Sequence, residues 1–142
     1  MENNNLIKVE FSAISENESF ARNLVSCYAL KLNPSISELT DIKTAVSEAV
    51  TNVIVHAYKK ELGSVYLELY TINNTLHIKV IDKGVGIDNL PKALEPFFTT
   101  GPEDERSGMG FTIIKSFMDS LEVDSKVGKG TSVIMSKVIK NK

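Results

Sequence analysis

Along residues 36–58 apolar side chains return every three or four positions, at Leu39, Ile42, Val46, Ala49, Val50, Val53, Ile54 and Ala57, the period of one face of an α-helix. Ser35-x-x-Glu38 in front of this run is a capping box, so the pattern predicts a helix from about Ile36 to Tyr58. A shorter helical run, about Ser19 to Leu32, follows a weakly alternating strand at residues 6–12. Ser15 or Asn17 is its candidate cap and Asn33-Pro34 its stop. Beyond Gly63 the period changes to two: Val65 to Ile72 and Thr75 to Ile81 alternate. Asn73-Asn74 between them tolerates the left-handed backbone of a tight turn, which predicts an antiparallel hairpin.

The next stretch is punctuated by Gly84, Gly86, Gly101, Gly108 and Gly110 and by Pro91, Pro96 and Pro102, leaving room only for a short helix near Lys92–Glu95. A helix from Phe111 to Leu121 follows. Two strands, about Glu122–Ser125 and Thr131–Val138, then meet at Gly128-Lys129-Gly130. Helices grouped with antiparallel strands predict an α+β chain, a two-layer α/β sandwich whose helices cover one face of a mixed sheet.

Composition narrows this picture. The 142 residues, 42% apolar and 24% charged, suffice for a single domain over residues 1–142. Such a chain buries roughly two thirds of its unfolded surface without a disulfide or metal staple. Sixteen Lys+Arg against 18 Asp+Glu leave a charge of −2, which argues against the basic footprint of a direct nucleic-acid binder. The lone Cys27 permits neither an internal disulfide nor a Cys-based zinc site and reads as a small buried hydrophobe. No apolar run approaches the roughly 20 residues that cross a bilayer. Met1-Glu2-Asn3-Asn4-Asn5 lacks the basic and apolar parts of a signal peptide, so the expectation is a cytoplasmic protein without membrane attachment. Among the basic residues only Arg22 and Arg106 are arginine.

Three features carry candidate chemistry. At about 100° per residue, Glu48, Asn52 and His56 lie near 0°, 40° and 80°, and the apolar set lies between roughly 100° and 240°. The polar three form a stripe beside the buried face, either the lip of a cleft or a solvated helix edge. His56 reads as a packing and hydrogen-bonding residue rather than a base, and His77 as a sheet-face residue without chemical duty. Asp82-x-Gly84-x-Gly86 follows a strand end. A carboxylate acceptor beside glycines suits the exocyclic amine of a flat base, and an ordinary turn carries the same residues. Gly108-Met109-Gly110 precedes a predicted helix, whose N-terminal amides attract phosphate; helix starts also carry glycine for turn geometry alone. Neither the phosphate-loop pattern nor Gly-x-Gly-x-x-Gly occurs.

Taken in order, Glu48-x3-Asn52-x3-His56, Asp82-x-Gly84-x-Gly86, Phe97-Phe98-Thr99-Thr100, Gly108-x-Gly110-Phe111 and Gly128-x-Gly130-Thr131 resemble the GHKL ATPase and kinase superfamily, over about residues 35–138. Phe11-Ser12-Ala13, Asn17 to Arg22, Val46 to Asn52 and Glu105 to Ile113 extend the likeness to the superfamily's anti-sigma factors that double as serine kinases in sporulation. The resemblance implies the Bergerat ATP-binding fold and ATP/ADP and Mg²⁺ as cofactors. By it, Asp82, Gly84, Gly86 and Thr131 receive adenine, and Asn52 holds the metal. Glu48 is the base toward a serine hydroxyl. Residues 98–108 form an ATP lid with Thr99, Thr100, Gly108, Met109, Gly110 and Phe111 at the nucleotide, and Arg106 meets the γ-phosphate. Glu18 and Arg22 belong to a docking surface for an RNA polymerase sigma factor and an anti-anti-sigma substrate, and the resemblance implies a homodimer of such domains. The chain departs from the family in reading Asn52-Val53-Ile54-Val55-His56-Ala57 where Asn-Ala-x-x-His-Gly is common. Two other readings stand beside the kinase: a nucleotide-sensing binder that sequesters a sigma factor without catalysis, and an ATPase with a conformational cycle.

Overall fold

The computed structural model describes residues 4–59, 61–94 and 105–140. In chain order these form β1 (Asn4–Ser12), α1 (Glu16–Ala29), a 3₁₀ turn (Leu30–Leu32), α2 (Ile36–Asn52), a π-helical turn (Val53–Ala57) and β2 (Ser64–Ile72). There follow β3 (Thr75–Asp82), α3 (Leu90–Ala93), α4 (Glu105–Phe117), β4 (Ser120–Lys126) and β5 (Gly130–Val138). The strands make one sheet in the order β1-β2-β3-β5-β4, with every neighbouring pair antiparallel.

The mixed sheet expected from the sequence is therefore corrected to an antiparallel one. β3 and β4, joined through α4, do run in the same direction, but β5 inserts between them and pairs antiparallel with both. Two helices between β1 and β2 carry the chain out and back, so that pair is antiparallel as well.

Period two sorts the sheet into faces. Val65, Leu67 and Leu69 of β2, Leu76, Ile78 and Val80 of β3, and Val133 and Met135 of β5 point inward. They pack with Ile42, Val46 and Val50 of α2 and Ile114 of α4 in one core. α2 lies between α1 and α4 and packs on both. The outer face keeps polar and aromatic residues, among them Tyr70 stacked on His77 with ring centroids 4.6 Å apart. No helix among the described residues is long and apolar enough to cross a membrane.

Local signals place most elements. The capping box forms in full: Glu38 N–H donates to Ser35 Oγ at 3.0 Å, and Ser35 N–H to Glu38 Oε1 at 2.9 Å. Asn73 takes φ 55° in the hairpin turn and Asn33 takes φ 55° where the chain leaves the 3₁₀ turn. α1 begins earlier than expected, with Ser15 at the N-cap position but without a side-chain cap bond. Asn17 Nδ2 instead donates to the Ser12 carbonyl at 2.9 Å.

Two further expectations are overturned. Cys27 is exposed, not buried; Ala21, Val25, Tyr28 and Ala29 hold the inward face of α1, and position 27 points away from them. α4 starts at Glu105 rather than Phe111, so Gly108 and Gly110 lie inside the helix. Each glycine costs about 1 kcal/mol relative to alanine. Burial of Phe111, Ile114 and Met118 against the core offsets that at roughly 1.5–3 kcal/mol per side chain.

Candidate functional site

Asp82 ends the inward row of β3 that begins with Leu76, so strand alternation carries a carboxylate into the core layer, 7% exposed. The β3–β5 register sets Thr131 opposite it. Gly84 N–H donates to Asp82 Oδ1 at 2.9 Å. Burial pushes the Asp82 pKa up, and the backbone bonds from Gly84 and Thr131 pull against that rise. The Thr131 hydroxyl shares a 2.8 Å hydrogen bond with Ser125 Oγ, which also accepts the Ile87 N–H at 2.8 Å.

The segment after Asp82 is bracketed on two sides. Tyr58 Oη accepts the Lys83 N–H at 2.9 Å and donates to the Ser64 carbonyl at 2.6 Å. Val85 N–H donates to the Ala57 carbonyl, and Gly128 N–H to the Val85 carbonyl, each at 2.8 Å. Gly86 has φ +78°, and a Cβ there would overlap the Lys126 carbonyl. Only glycine meets both conditions. The end of the π turn and the β4–β5 turn thus hold residues 83–87 in one shape.

On α2, Glu48, Asn52 and His56 are half-buried, as expected for a border stripe. The regular helix ends at Asn52, and the π turn from Val53 to Ala57 breaks the 100° phase used to place His56. Asn52 Nδ2 is buried without a hydrogen-bond partner among the described residues. A Cβ on Gly110 would stand 3.0 Å from that nitrogen. Gly110 therefore lets α4 close on the Asn52 amide. A buried donor without an acceptor is costly unless a ligand brings one. A triphosphate brings acceptor oxygens, and the other end of the same amide offers the carbonyl oxygen a hard cation takes. Asn52 therefore fits a nucleotide with its metal.

The remaining expected residues divide. Gly108, Met109 and Gly110 were expected as a glycine turn in front of a helix; they lie within α4 instead, so the Gly110 N–H belongs to the helix ladder. Arg106 sits in the first turn of α4, and Phe111, farther along the same helix, is buried in the core. Thr99, Thr100 and the rest of residues 98–104 of the expected lid lie outside the described residues. Glu18 and Arg22 pair one turn apart on α1 at 3.1 Å.

Sequence reasoning missed Tyr58, Ser125 and Ser47, whose hydroxyl donates to Glu18 Oε2. Ser125 had a signal, a polar residue at an inward position of β4 after Leu121 and Val123. The Tyr58–Lys83 and Ser47–Glu18 bonds join positions 25 and 29 residues apart and had none.

A model of the histidine kinase-like ATPase domain matches residues 11–137. The chain is 52% identical over 139 residues to the anti-sigma F factor of Caldanaerobacter subterraneus, covering 98% of this chain and 97% of that one. It is 54% identical over 134 residues to the anti-sigma F factor of Clostridium perfringens, covering 94% and 96%. Among solved structures, the RsbU and RsbW domains of a Mycobacterium tuberculosis protein superpose with TM-score 0.67 at 14% identity, covering 95% of this chain and 32% of that one. The catalytic domain of the histidine kinase ThkA gives TM-score 0.60 at 18% identity, covering 98% and 97%. At these identities the structural likeness is one of fold.

Proposed function

We propose that this chain, which belongs to the anti-sigma F factor family and carries a histidine kinase-like ATPase domain, is an ATP-dependent serine kinase that also holds a sigma factor. The observation that carries the reading is the buried Asp82 carboxylate, met by backbone donors and facing Thr131. A carboxylate kept at a strand end in this way recognises the exocyclic amine of adenine, with Gly84 and Gly86 leaving space for the base.

Asn52 would hold Mg²⁺ through its side-chain carbonyl oxygen and offer its amide N–H to a phosphate oxygen. The chemistry such a cation would supply there is neutralisation of phosphate charge. Glu48, one turn earlier on α2, takes the proton from the substrate serine hydroxyl as that oxygen bonds to the γ-phosphorus. The bond from phosphorus to the ADP oxygen breaks, and ADP leaves. Arg106, a permanently charged fork at the start of α4, offsets the charge that develops. Thr99, Thr100, Gly108, Met109 and Phe111 complete the nucleotide surroundings within the lid and α4.

Glu18 and Arg22 form part of the docking surface for the sigma factor and for the anti-anti-sigma substrate. A shared surface makes the two compete, with ATP favouring the first and ADP the second. We place the kinase in the cytoplasm as a homodimer of single ATP-binding domains, without direct contact to nucleic acid. The test mixes the protein with Mg-ATP labelled on the γ-phosphate and a purified anti-anti-sigma protein, in single turnover. Label on serine is the expected result. No transfer while ATP still binds overturns the kinase, and sigma-factor capture under the same conditions then identifies a nucleotide-sensing binder.

A further inference from the structure

On α2, Thr40 and Thr44 satisfy their hydroxyls locally, each donating at 2.9 Å to the carbonyl one turn back, of Ile36 and Thr40. Ser47 does otherwise. Its hydroxyl crosses to α1 and donates to Glu18 Oε2, the same oxygen that accepts Arg22 Nη1 at 3.1 Å. The side chains of Glu18 and Arg22 are 22% and 35% exposed, so this junction is partly withdrawn from water yet open to a protein partner.

We propose that Ser47 is a positioning residue that couples occupancy of the α1 surface to the nucleotide end of α2. The inference rests on the function proposed above. Glu18 Oε2 has two donors among the described residues, Arg22 Nη1 and Ser47 Oγ. A partner carboxylate that draws the Arg22 fork away leaves Ser47 as the remaining donor; a partner cation that draws Glu18 away releases Ser47. Either event changes the hold on the helical turn that carries Glu48, the next residue, and leads to Asn52. In reverse, a ligand on Asn52 that shifts this turn alters the Ser47 bond and with it the pose of Glu18 and Arg22. Coupling between two binding sites is reciprocal, so one measurement reads both directions.

The experiment titrates purified sigma F factor against the full chain with Mg-ATP and with Mg-ADP, and takes the ratio of the two affinities. Ser47→Ala and Ser47→Thr are compared with the wild type, with ATP affinity and thermal melting recorded for each. Ser47→Ala is expected to keep ATP affinity within about twofold and to reduce the affinity ratio by about fivefold or more, the lower end of typical couplings. Ser47→Thr, which keeps the hydroxyl, is expected to restore the ratio. A purely structural role would lower the melting temperature and leave the ratio alone. A wild-type ratio well above one that Ser47→Ala retains overturns this inference alone. A wild-type ratio of one overturns the proposed partner switch and the inference together.

Discussion

Tyr58 Oη accepts the backbone N–H of Lys83 across 2.9 Å, which ties the residue after the π turn to the residue after Asp82. The same phenol donates to the Ser64 carbonyl, so one hydroxyl fixes the loop against the start of β2. Tyr58→Phe keeps the ring and removes both bonds, each worth about 1 kcal/mol net. The expected outcome is a three- to tenfold loss of ATP affinity with unchanged far-ultraviolet circular dichroism. Calorimetric titration with ATP checks it, and an unchanged affinity removes Tyr58 as a support of the nucleotide loop.

Gly110→Ala separates helix stability from ligand binding. Alanine favours a helix interior by about 1 kcal/mol over glycine. Its Cβ, however, would stand 3.0 Å from Asn52 Nδ2 and push on a buried amide. The variant is therefore expected to melt no lower than the wild type while binding Mg-ATP about tenfold more weakly. Differential scanning fluorimetry with and without nucleotide reads both quantities. A variant that binds at wild-type strength shows that Asn52 moves aside freely.

How far the sequence led depends on the range over which each feature is written. The capping box at Ser35 and Glu38, the hairpin at Asn73-Asn74 and the inward rows of β2 and β3 depend on neighbours a few residues apart, and all are where the pattern put them. Asp82 and Thr131 were each legible as motif residues, yet their apposition comes from the register of β3 on β5, a pairing across 49 positions that no local pattern contains. The start of α4 was misread because Gly108 and Gly110 punctuate the sequence like a loop; packing on α2 overrides their low propensity, and the acidic residues at 103–105 suit a helix N-terminus. The π turn after Asn52 was invisible for the same reason, since apolar spacing continues unbroken through Ala57. Cys27 was placed by residue type, where helix phase decides.

The pH dependence of binding follows from Asp82. Burial raises its pKa in the folded chain above the ordinary carboxylate value, so the folded state holds the proton more tightly than the unfolded one. As pH falls through that raised value the proposed acceptor of the adenine amine is lost, and ATP affinity is expected to fall. At neutral pH the ionised, buried carboxylate opposes folding instead. Asp82→Asn is therefore expected to melt at or above the wild-type temperature at pH about 7. Its ATP affinity should be lower by about tenfold or more, the worth of a hydrogen bond to a charged group. Titrations at pH about 7 and about 5 should show wild-type affinity decreasing toward acid and the variant's staying level. An equal slope in both assigns the pH dependence to another group.

Glu48→Gln tests the chemical step apart from binding. Glu48 is half-buried one turn before Asn52, and glutamine preserves its size while removing the proton acceptor. A positioned general base contributes about 10²- to 10⁴-fold. The variant is thus expected to bind Mg-ATP within about threefold of the wild type and to transfer phosphate to the serine substrate at least about 100-fold more slowly. Because transfer is measured at saturating substrate in single turnover, the loss lies in kcat rather than KM. Transfer at the wild-type rate removes Glu48 as the base and leaves the serine hydroxyl to lose its proton to the phosphate itself.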